Sequence, residues 1–434
     1  MMKWLLTAFI CAATFSVNAQ VQFSSLGELL QYADRNSITA KQGKMLVDAS
    51  REEVGIQRSG LLPKINLSGT ADYNPIIATQ LIPESVFGGQ DGKFRKVQFG
   101  LPFGFTSGAE LSIPVINLEK WKQLEKAKLQ SVQTGWTQKA NLENLHIQLT
   151  RYYYQELAMK AAVKLNLQNG ETVTKLLRIM AQRKQNGVLN PSDYNRSKNL
   201  QLDVLNAGKE YERLLAEARI GLHALLNLPD SVEISLNDSL QDFNWPMTNY
   251  AANDISNRPG WKEANVKADV AQKLWEESRR AGLPKLSFYS RYTYNWQMKF
   301  STNTNIGFDV SSLGLRFDFP LFQGNFYRGT QTKNELLFQS AKLERDKVKS
   351  SLQQQQKEWR NNYTKAHEQH ALLLEKTKVA ADNLRIAELN MKEGVMEFNE
   401  YNEIFLEYNK AQLDYLQNLS DGILYYLLLT QNVQ

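Results

Sequence analysis

From residue 20 onward the chain carries two copies of one sequence plan, and this duplication constrains the fold more than any other feature. Residues 59–74 and 280–295 both run through Leu-Pro-Lys, with the prolines at Pro63 and Pro284. Both segments then alternate between polar and apolar residues and end in Tyr-Asn. A chain with this pattern is predicted to fold as two equivalent halves.

Two later landmarks repeat in the same order. Pro114 matches Pro320, and the Gly-Val pair at Gly187 and Val188 matches that at Gly394 and Val395. The offset between copies falls from 221 residues at the first proline pair to 206 at the second. The first copy is therefore predicted to hold an enlarged loop of about 15 extra residues, within 74–102 and rich in Gly, Pro and Asp.

Each copy is predicted to fold as helix, strand, strand, long helix, turn and helix. The repeats are placed at residues 20–229 and 254–434, and residues 230–253 form a connector with little periodicity. The predicted strands span about 64–74, 103–113, 285–296 and 306–319. Pro63 and Pro284 are predicted to mark strand entries, and Pro114 and Pro320 to mark strand exits. The predicted helices span about 25–60, 117–185, 192–228, 254–281, 324–392 and 398–430.

The predicted strands are amphipathic. In the first, Ile65, Leu67 and Tyr73 lie on one face, and polar residues occupy the other. The fourth strand changes phase near residues 311–312, which predicts a β-bulge. Alternation over 10–12 residues with aromatic residues near the ends is typical of membrane-spanning strands, although soluble two-layer sheets alternate as well.

Strands in lipid impose a condition on assembly. Hydrocarbon offers no hydrogen-bond partners, so a sheet inside it cannot leave its edges unpaired. Four strands are too few to close a barrel, for which about eight is the practical minimum. Several copies must then join, and geometry alone allows eight strands from a dimer or twelve from a trimer.

The long helices have narrow apolar stripes between wide polar flanks. At about 1.5 Å per residue, a helix over residues 117–187 or 324–393 is roughly 105 Å long. Such a helix suits either a soluble coiled coil or the wall of a water-filled tube.

The first 19 residues are predicted to be a secretory signal peptide. Lys3 supplies the basic region, residues 5–15 the apolar region, and residues 17–19 a small-residue cleavage site. Cys11, the only cysteine, lies inside this leader, so no disulfide is expected in the mature chain.

No catalytic constellation is found. His367 and His370 share a helix face, but further metal ligands are missing, and a solvated face is the expectation. No phosphate-binding loop or hydrolase motif is present. The net charge of +6 is spread along the chain, without a nucleic-acid footprint. We therefore predict a protein that is not an enzyme, with no cofactor and no metal.

The duplicated Leu-Pro-Lys segments, the prolines Pro114 and Pro320 and the two glycine turns resemble the TolC family of outer-membrane factors over the whole mature chain. The resemblance implies a homotrimer with a 12-stranded β-barrel in the outer-membrane lipid, continuing into a 12-helix periplasmic α-barrel. It implies a passive conduit of a tripartite efflux or type I secretion system. Its partners would be a periplasmic adaptor protein and an inner-membrane pump.

The resemblance also implies roles for the helical turns. Gly187, Val188, Gly394 and Val395 would mark periplasmic tips that dock the adaptor. Acidic residues just beyond them would line the entrance in rings, and the matching positions are Glu400, Glu403 and Asp193. Carboxylates in the first turn of a helix also favour its dipole, which is the alternative reading.

The tip departs from the family pattern in one respect. The basic and aromatic residues that latch the closed tip in the family correspond here to Met396 and Met391. Tyr401 and Tyr194 are candidate substitutes, although packing is the expected role of both.

Two functional classes remain open on the sequence alone. The first is the outer-membrane duct. The second is a secreted or periplasmic coiled-coil scaffold without a pore. Strands long enough to cross about 25 Å of hydrocarbon favour the duct.

Overall fold

The computed structural model describes residues 20–229, 231–240, 245–246 and 255–430. The predicted leader at 1–19 and half of the predicted connector lie outside these residues. The described residues form these helices of three or more turns: α1 (Leu26–Asn36), α2 (Ile38–Ser59), α3 (Leu118–Gln185), α4 (Pro191–Leu226), α5 (Pro259–Arg280), α6 (Phe326–Glu393) and α7 (Phe398–Thr430). None of the described helices is apolar over a stretch long enough to cross a membrane.

The first predicted helix is two helices, because Ser37 interrupts it. The backbone of Ser37 is extended, and its amide N–H donates to the Ala33 carbonyl at the end of α1. Its side-chain oxygen accepts the Ala40 amide at 3.1 Å and so caps the start of α2. A buried serine thus ends one helix and begins the next.

Eight strands are present in the described residues: β1 (Gln20–Phe23), β2 (Lys64–Tyr73), β3 (Thr79–Pro83), β4 (Phe94–Gln98), β5 (Phe103–Ile116), β6 (Glu233–Leu236), β7 (Lys285–Lys299) and β8 (Thr304–Asp318). The main sheet is antiparallel with the order β2-β5-β7-β8. The enlarged loop contains the β3–β4 hairpin. A parallel β1–β6 pair shows that the connector, predicted to lack periodicity, includes a short strand.

The prediction that Pro114 ends its strand is wrong. Strand β5 continues to Ile116, and the register shifts between these two residues. Proline has no amide hydrogen to donate, so a central strand accommodates it only at such an irregularity.

The predicted bulge at residues 311–312 is also wrong. Strands β7 and β8 pair without interruption from Lys285 opposite Asp318 to Lys299 opposite Thr304. The phase change in the sequence is therefore a real change of face. Ile306, Phe308 and Val310 lie on one face of the sheet, and the apolar residues at 313, 315 and 317 lie on the other.

The described residues divide into two compact units, drawn from the ranges 1–46, 135–263 and 346–434 in the first and 47–134 and 264–345 in the second. The first is a helical unit with separate apolar cores. One core joins α1, α3 and α4 to the β1–β6 pair around the fully buried Leu29, Leu149 and Tyr153. A second joins α3, α4, α6 and α7 around Met180, Met391 and Phe405.

The second unit holds the main sheet, the β3–β4 hairpin and neighbouring helical segments. Its helices are linked by Lys126 and Glu277, whose Nζ and Oε2 atoms lie 2.6 Å apart, and by stacked rings of Trp275 and Phe338. The four strands extend from these helices as one layer.

Candidate functional site

One face of the main sheet is apolar along β2, β5 and β7 and along the half of β8 nearest α6, whereas the other half of β8 places polar residues such as Asp309 on this face. The register places on this face the odd-numbered residues of β2, β5 and β8 and the even-numbered residues of β7. Its apolar members include Ile65, Leu67, Phe103, Phe105, Leu111, Ile113, Leu286, Phe288, Leu313, Leu315 and Phe317. Leu67 is 85% exposed, so the described chain leaves this apolar face uncovered.

Aromatic residues cluster where the strands meet their connecting loops. The Phe103 ring lies 4.7 Å from the Tyr73 ring and 4.7 Å from the Phe300 ring, measured between centroids. Phe105 and Trp296 form a second pair at 5.3 Å. A girdle of this kind, at one end of an apolar band, is typical of the interface between hydrocarbon and water.

The opposite face of the sheet is polar, and its charged and polar side chains form ion pairs and hydrogen bonds. Arg291 Nη2 lies 2.5 Å from Glu110 Oε2, and Thr106 donates to Asn295 Oδ1 at 2.9 Å. The sheet thus has one apolar face and one polar, charged face, a pattern typical of strands that separate hydrocarbon from water.

Strands β2 and β8 form the two edges of this sheet. Among the described residues, neither strand has a second neighbour in the sheet. Each edge therefore offers a row of backbone donors and acceptors to another strand.

The two helical turns at Gly187 and Gly394 have the same geometry. Gly187 and Gly394 adopt φ of 73° and 80°, which only glycine adopts readily. The amide of Val188 donates to the Arg183 carbonyl, and that of Val395 to the Asn390 carbonyl. Both turns thus end a helix with a left-handed glycine, and their valines are 65% and 77% exposed.

The predicted acidic residues lie in the helices that follow these turns. Asp193 and Glu400 occupy the same position in the first turns of α4 and α7. Asp193 Oδ1 lies 3.8 Å from Arg196 Nη1. Glu400 and Glu403 are exposed.

The exposed acidic residues after the second glycine turn are more numerous than predicted. Glu407 of α7 and Glu397, the residue just before α7, are exposed as well, and their spacing continues the line of Glu400 and Glu403. The recurrence of glutamate at three- and four-residue intervals was the signal in the sequence that could have identified both.

Tyr401 packs, as expected. It is 1% exposed, stacks on Phe405 and lies in the same core as Met391, with Met396 against that core. Burial, and secondarily the charge of Glu388, raise the pKa of the Tyr401 hydroxyl. Tyr194 lies under the Lys184 ammonium, 4.3 Å from the ring centroid.

Two hydrogen bonds near the glycine turns join the two sequence repeats of the chain. Neither of them was predicted from the sequence. Arg183 Nη1 donates to the Met391 carbonyl at 3.3 Å, and Arg196 Nη1 donates to Asn399 Oδ1 at 2.7 Å. Each link joins residues more than 200 positions apart, so local sequence patterns gave no signal for it.

The other singled-out residues have structural surroundings. Pro63 and Pro284 immediately precede β2 and β7, and Pro320 follows the end of β8. The expectation of a solvated histidine face is wrong, because His367 and His370 pack against the Trp245 ring at 5.9 and 4.7 Å. Within the described part of the chain, no three His, Cys, Asp or Glu side chains are placed to hold a metal ion.

Residues 29–228 match the outer membrane efflux protein family. No curated protein matches the chain at a significant level.

Solved structures share the fold over nearly the whole chain. A membrane protein from Pseudomonas aeruginosa aligns with a TM-score of 0.78 and 15% identity, covering 96% of this chain and 91% of that one. The outer membrane protein VceC from Vibrio cholerae gives 0.77 and 12%, covering 94% and 95%. The CmeC outer membrane channel of Campylobacter jejuni gives 0.76 and 15%, covering 94% and 86%. The sequence match over residues 29–228 and the shared fold agree, and the chain is similar to outer membrane efflux proteins.

Proposed function

We propose that this protein is the outer-membrane channel of a tripartite efflux or type I secretion system. It is a passive conduit from the periplasm to the exterior and does no covalent chemistry. The observation that carries the proposal is the main sheet, which has one apolar face, one polar face and two open edges.

The apolar face supports a place in the outer membrane. A strand needs about 9–11 residues to cross the hydrocarbon at a tilt near 45°. Strands β2, β5, β7 and β8 have 10, 14, 15 and 15 residues, which is sufficient. The polar face, with the Glu110–Arg291 pair, then lines a water-filled lumen.

The open edges support a homotrimer. Strands β2 and β8 run in opposite directions, so β8 of one copy can pair antiparallel with β2 of the next. Three copies give a closed barrel of twelve strands and remove every edge from the lipid. Four further helices from each copy, α3, α4, α6 and α7, would form a 12-helix periplasmic tunnel.

The helical turns would form the periplasmic entrance and meet the adaptor. Val188 and Val395 project exposed apolar side chains there, which suits docking to another protein. Three copies of Glu400 and Glu403 would bring carboxylates into rings that favour cations. Arg183 and Arg196, which tie the two helical hairpins together, would hold the entrance narrow.

The test is membrane fractionation followed by recording in planar bilayers. We expect the protein in the outer-membrane fraction, extracted only by detergent, and expect the purified oligomer to conduct ions in discrete steps. A soluble protein that leaves bilayers unaltered would contradict the channel and favour a scaffold without a pore.

A further inference from the structure

The half of β8 nearest the loops carries apolar residues on the polar face of the sheet. Ile306, Phe308 and Val310 lie opposite Gln297, Asn295 and Thr293 of β7. Phe308 is 46% exposed, and the other two are similarly exposed. In a channel these side chains would face water in the outer mouth, which is an unfavourable place for three neighbouring apolar groups.

The β3–β4 hairpin also exposes apolar side chains. Register places Leu81 and Phe94 on one hairpin face, where they are 63% and 61% exposed. The other face carries Ile82 and Val97, which are half-buried. The exposed face of the hairpin is therefore the one that lacks a cover in a single copy.

Both apolar surfaces occur at the same end of the sheet. The hairpin follows Tyr73, the last residue of β2, and returns at Phe103, the first of β5. The apolar half of β8 begins two residues after its first residue, Thr304. Within one copy, however, β2 and β8 lie on opposite edges, separated by two strands.

We propose that the hairpin of one copy packs, through Leu81 and Phe94, on Ile306, Phe308 and Val310 of the next copy. This inference rests on the trimer proposed above, because only a neighbouring copy places β2 beside β8. The occupant of the apolar half-strand is thus a second copy of this chain. Three such contacts form an apolar constriction at the outer mouth.

The connecting segments are long enough for this contact. Five residues separate β2 from β3, and a chain spans up to about 3.3–3.6 Å per residue. The reach is then about 17 Å, compared with about 4.8 Å between neighbouring strands. The hairpin can therefore cross the β8 edge and turn toward the lumen.

Cysteine cross-linking of the full-length oligomer tests the contact. We expect Phe94→Cys with Phe308→Cys, joined by a short bis-maleimide, to give covalent dimers and trimers on a denaturing gel. The matched control is Phe94→Cys with Asp309→Cys, because Asp309 is the adjacent residue on the other face. Single-cysteine variants show whether the oligomer still assembles.

Three results would overturn the inference while leaving the trimer in place. These are equal cross-linking of both pairs, product only within one chain, or no product in an assembled oligomer. If neither the variants nor the unmodified protein form an oligomer, the result contradicts the proposed function instead.

Proteolysis supplies a second readout that does not depend on cysteine geometry. The hairpin carries Lys93, Arg95 and Lys96, which trypsin cleaves when they are accessible. We expect Phe308→Ser to speed cleavage at these residues in the assembled oligomer. Tyr289→Ser, which removes an aromatic from the same sheet face at the far end, should leave the rate unchanged. Equal rates of tryptic cleavage in both variants would overturn the inference. Protection of the hairpin by a lipid bilayer alone, without a neighbouring copy, would overturn it as well.

Discussion

A charge placed on the apolar face of the main sheet should lower the stability of the protein far more than a charge placed on the polar face. Leu67 and Ser68 are neighbours on β2, and the register puts Leu67 on the apolar face and Ser68 on the polar face. Tyr73 of the aromatic girdle lies six positions beyond Leu67 along β2. At about 3.3 Å per residue and a tilt near 45°, this is about 14 Å below the interface. Leu67 is therefore expected near the middle of a hydrocarbon layer about 25 Å thick.

The depth determines the size of the expected effect. Arginine on the lipid face near the midplane costs about 2–4 kcal/mol. Since 1.36 kcal/mol is a factor of ten, Leu67→Arg should lower the folding equilibrium in lipid by about 30- to 1,000-fold per copy. Ser68→Arg faces the lumen and should change stability by about 0.5 kcal/mol or less.

The assay is urea titration of the protein folded into phosphatidylcholine vesicles, with the folded fraction read from its altered mobility on unheated gels. The Leu67→Arg midpoint should fall well below that of Ser68→Arg. Equal midpoints, or a larger loss for Ser68→Arg, would refute the assignment of the apolar face to lipid.

Three further predictions concern the helical unit. Replacing Glu400 and Glu403 by Gln should reduce cation selectivity in planar bilayers; unchanged selectivity would rule out the entrance rings. Arg196→Ala removes a hydrogen bond worth about 0.5–1.5 kcal/mol in each copy, so the mean single-channel conductance should rise, and an unchanged conductance would show that this link does not restrict the entrance. Phe405→Ala empties a fully buried site and should destabilise the protein by about 3–5 kcal/mol in thermal unfolding, whereas Leu406→Ala, at a half-exposed position, should cost far less; equal losses would contradict the packing at the turns.

The strands of the main sheet were the most predictable part of the fold. Period-two alternation defines both faces, and the structure starts β2 and β7 at the residues expected from Pro63 and Pro284. The phase change in β8 was ambiguous, because a bulge and a real change of face give the same sequence pattern. Only the pairing with β7 separates them.

Short elements and long-range contacts escaped prediction for physical reasons. Ser37 breaks a helix through one side-chain hydrogen bond, and a single serine within a helical pattern is a weak signal. Strand β6 has only four residues, too few for a period to be recognised. The Arg183 and Arg196 links depend on how separate helices pack, which no local pattern encodes.

The central claim is that the bare edges of β2 and β8 pair between copies to close a barrel. Native mass spectrometry of the detergent-extracted protein tests it most directly. We predict one dominant species with three times the mass of the mature chain, which dissociates when the detergent is replaced by denaturant. A stable monomer in buffer without detergent would contradict the account.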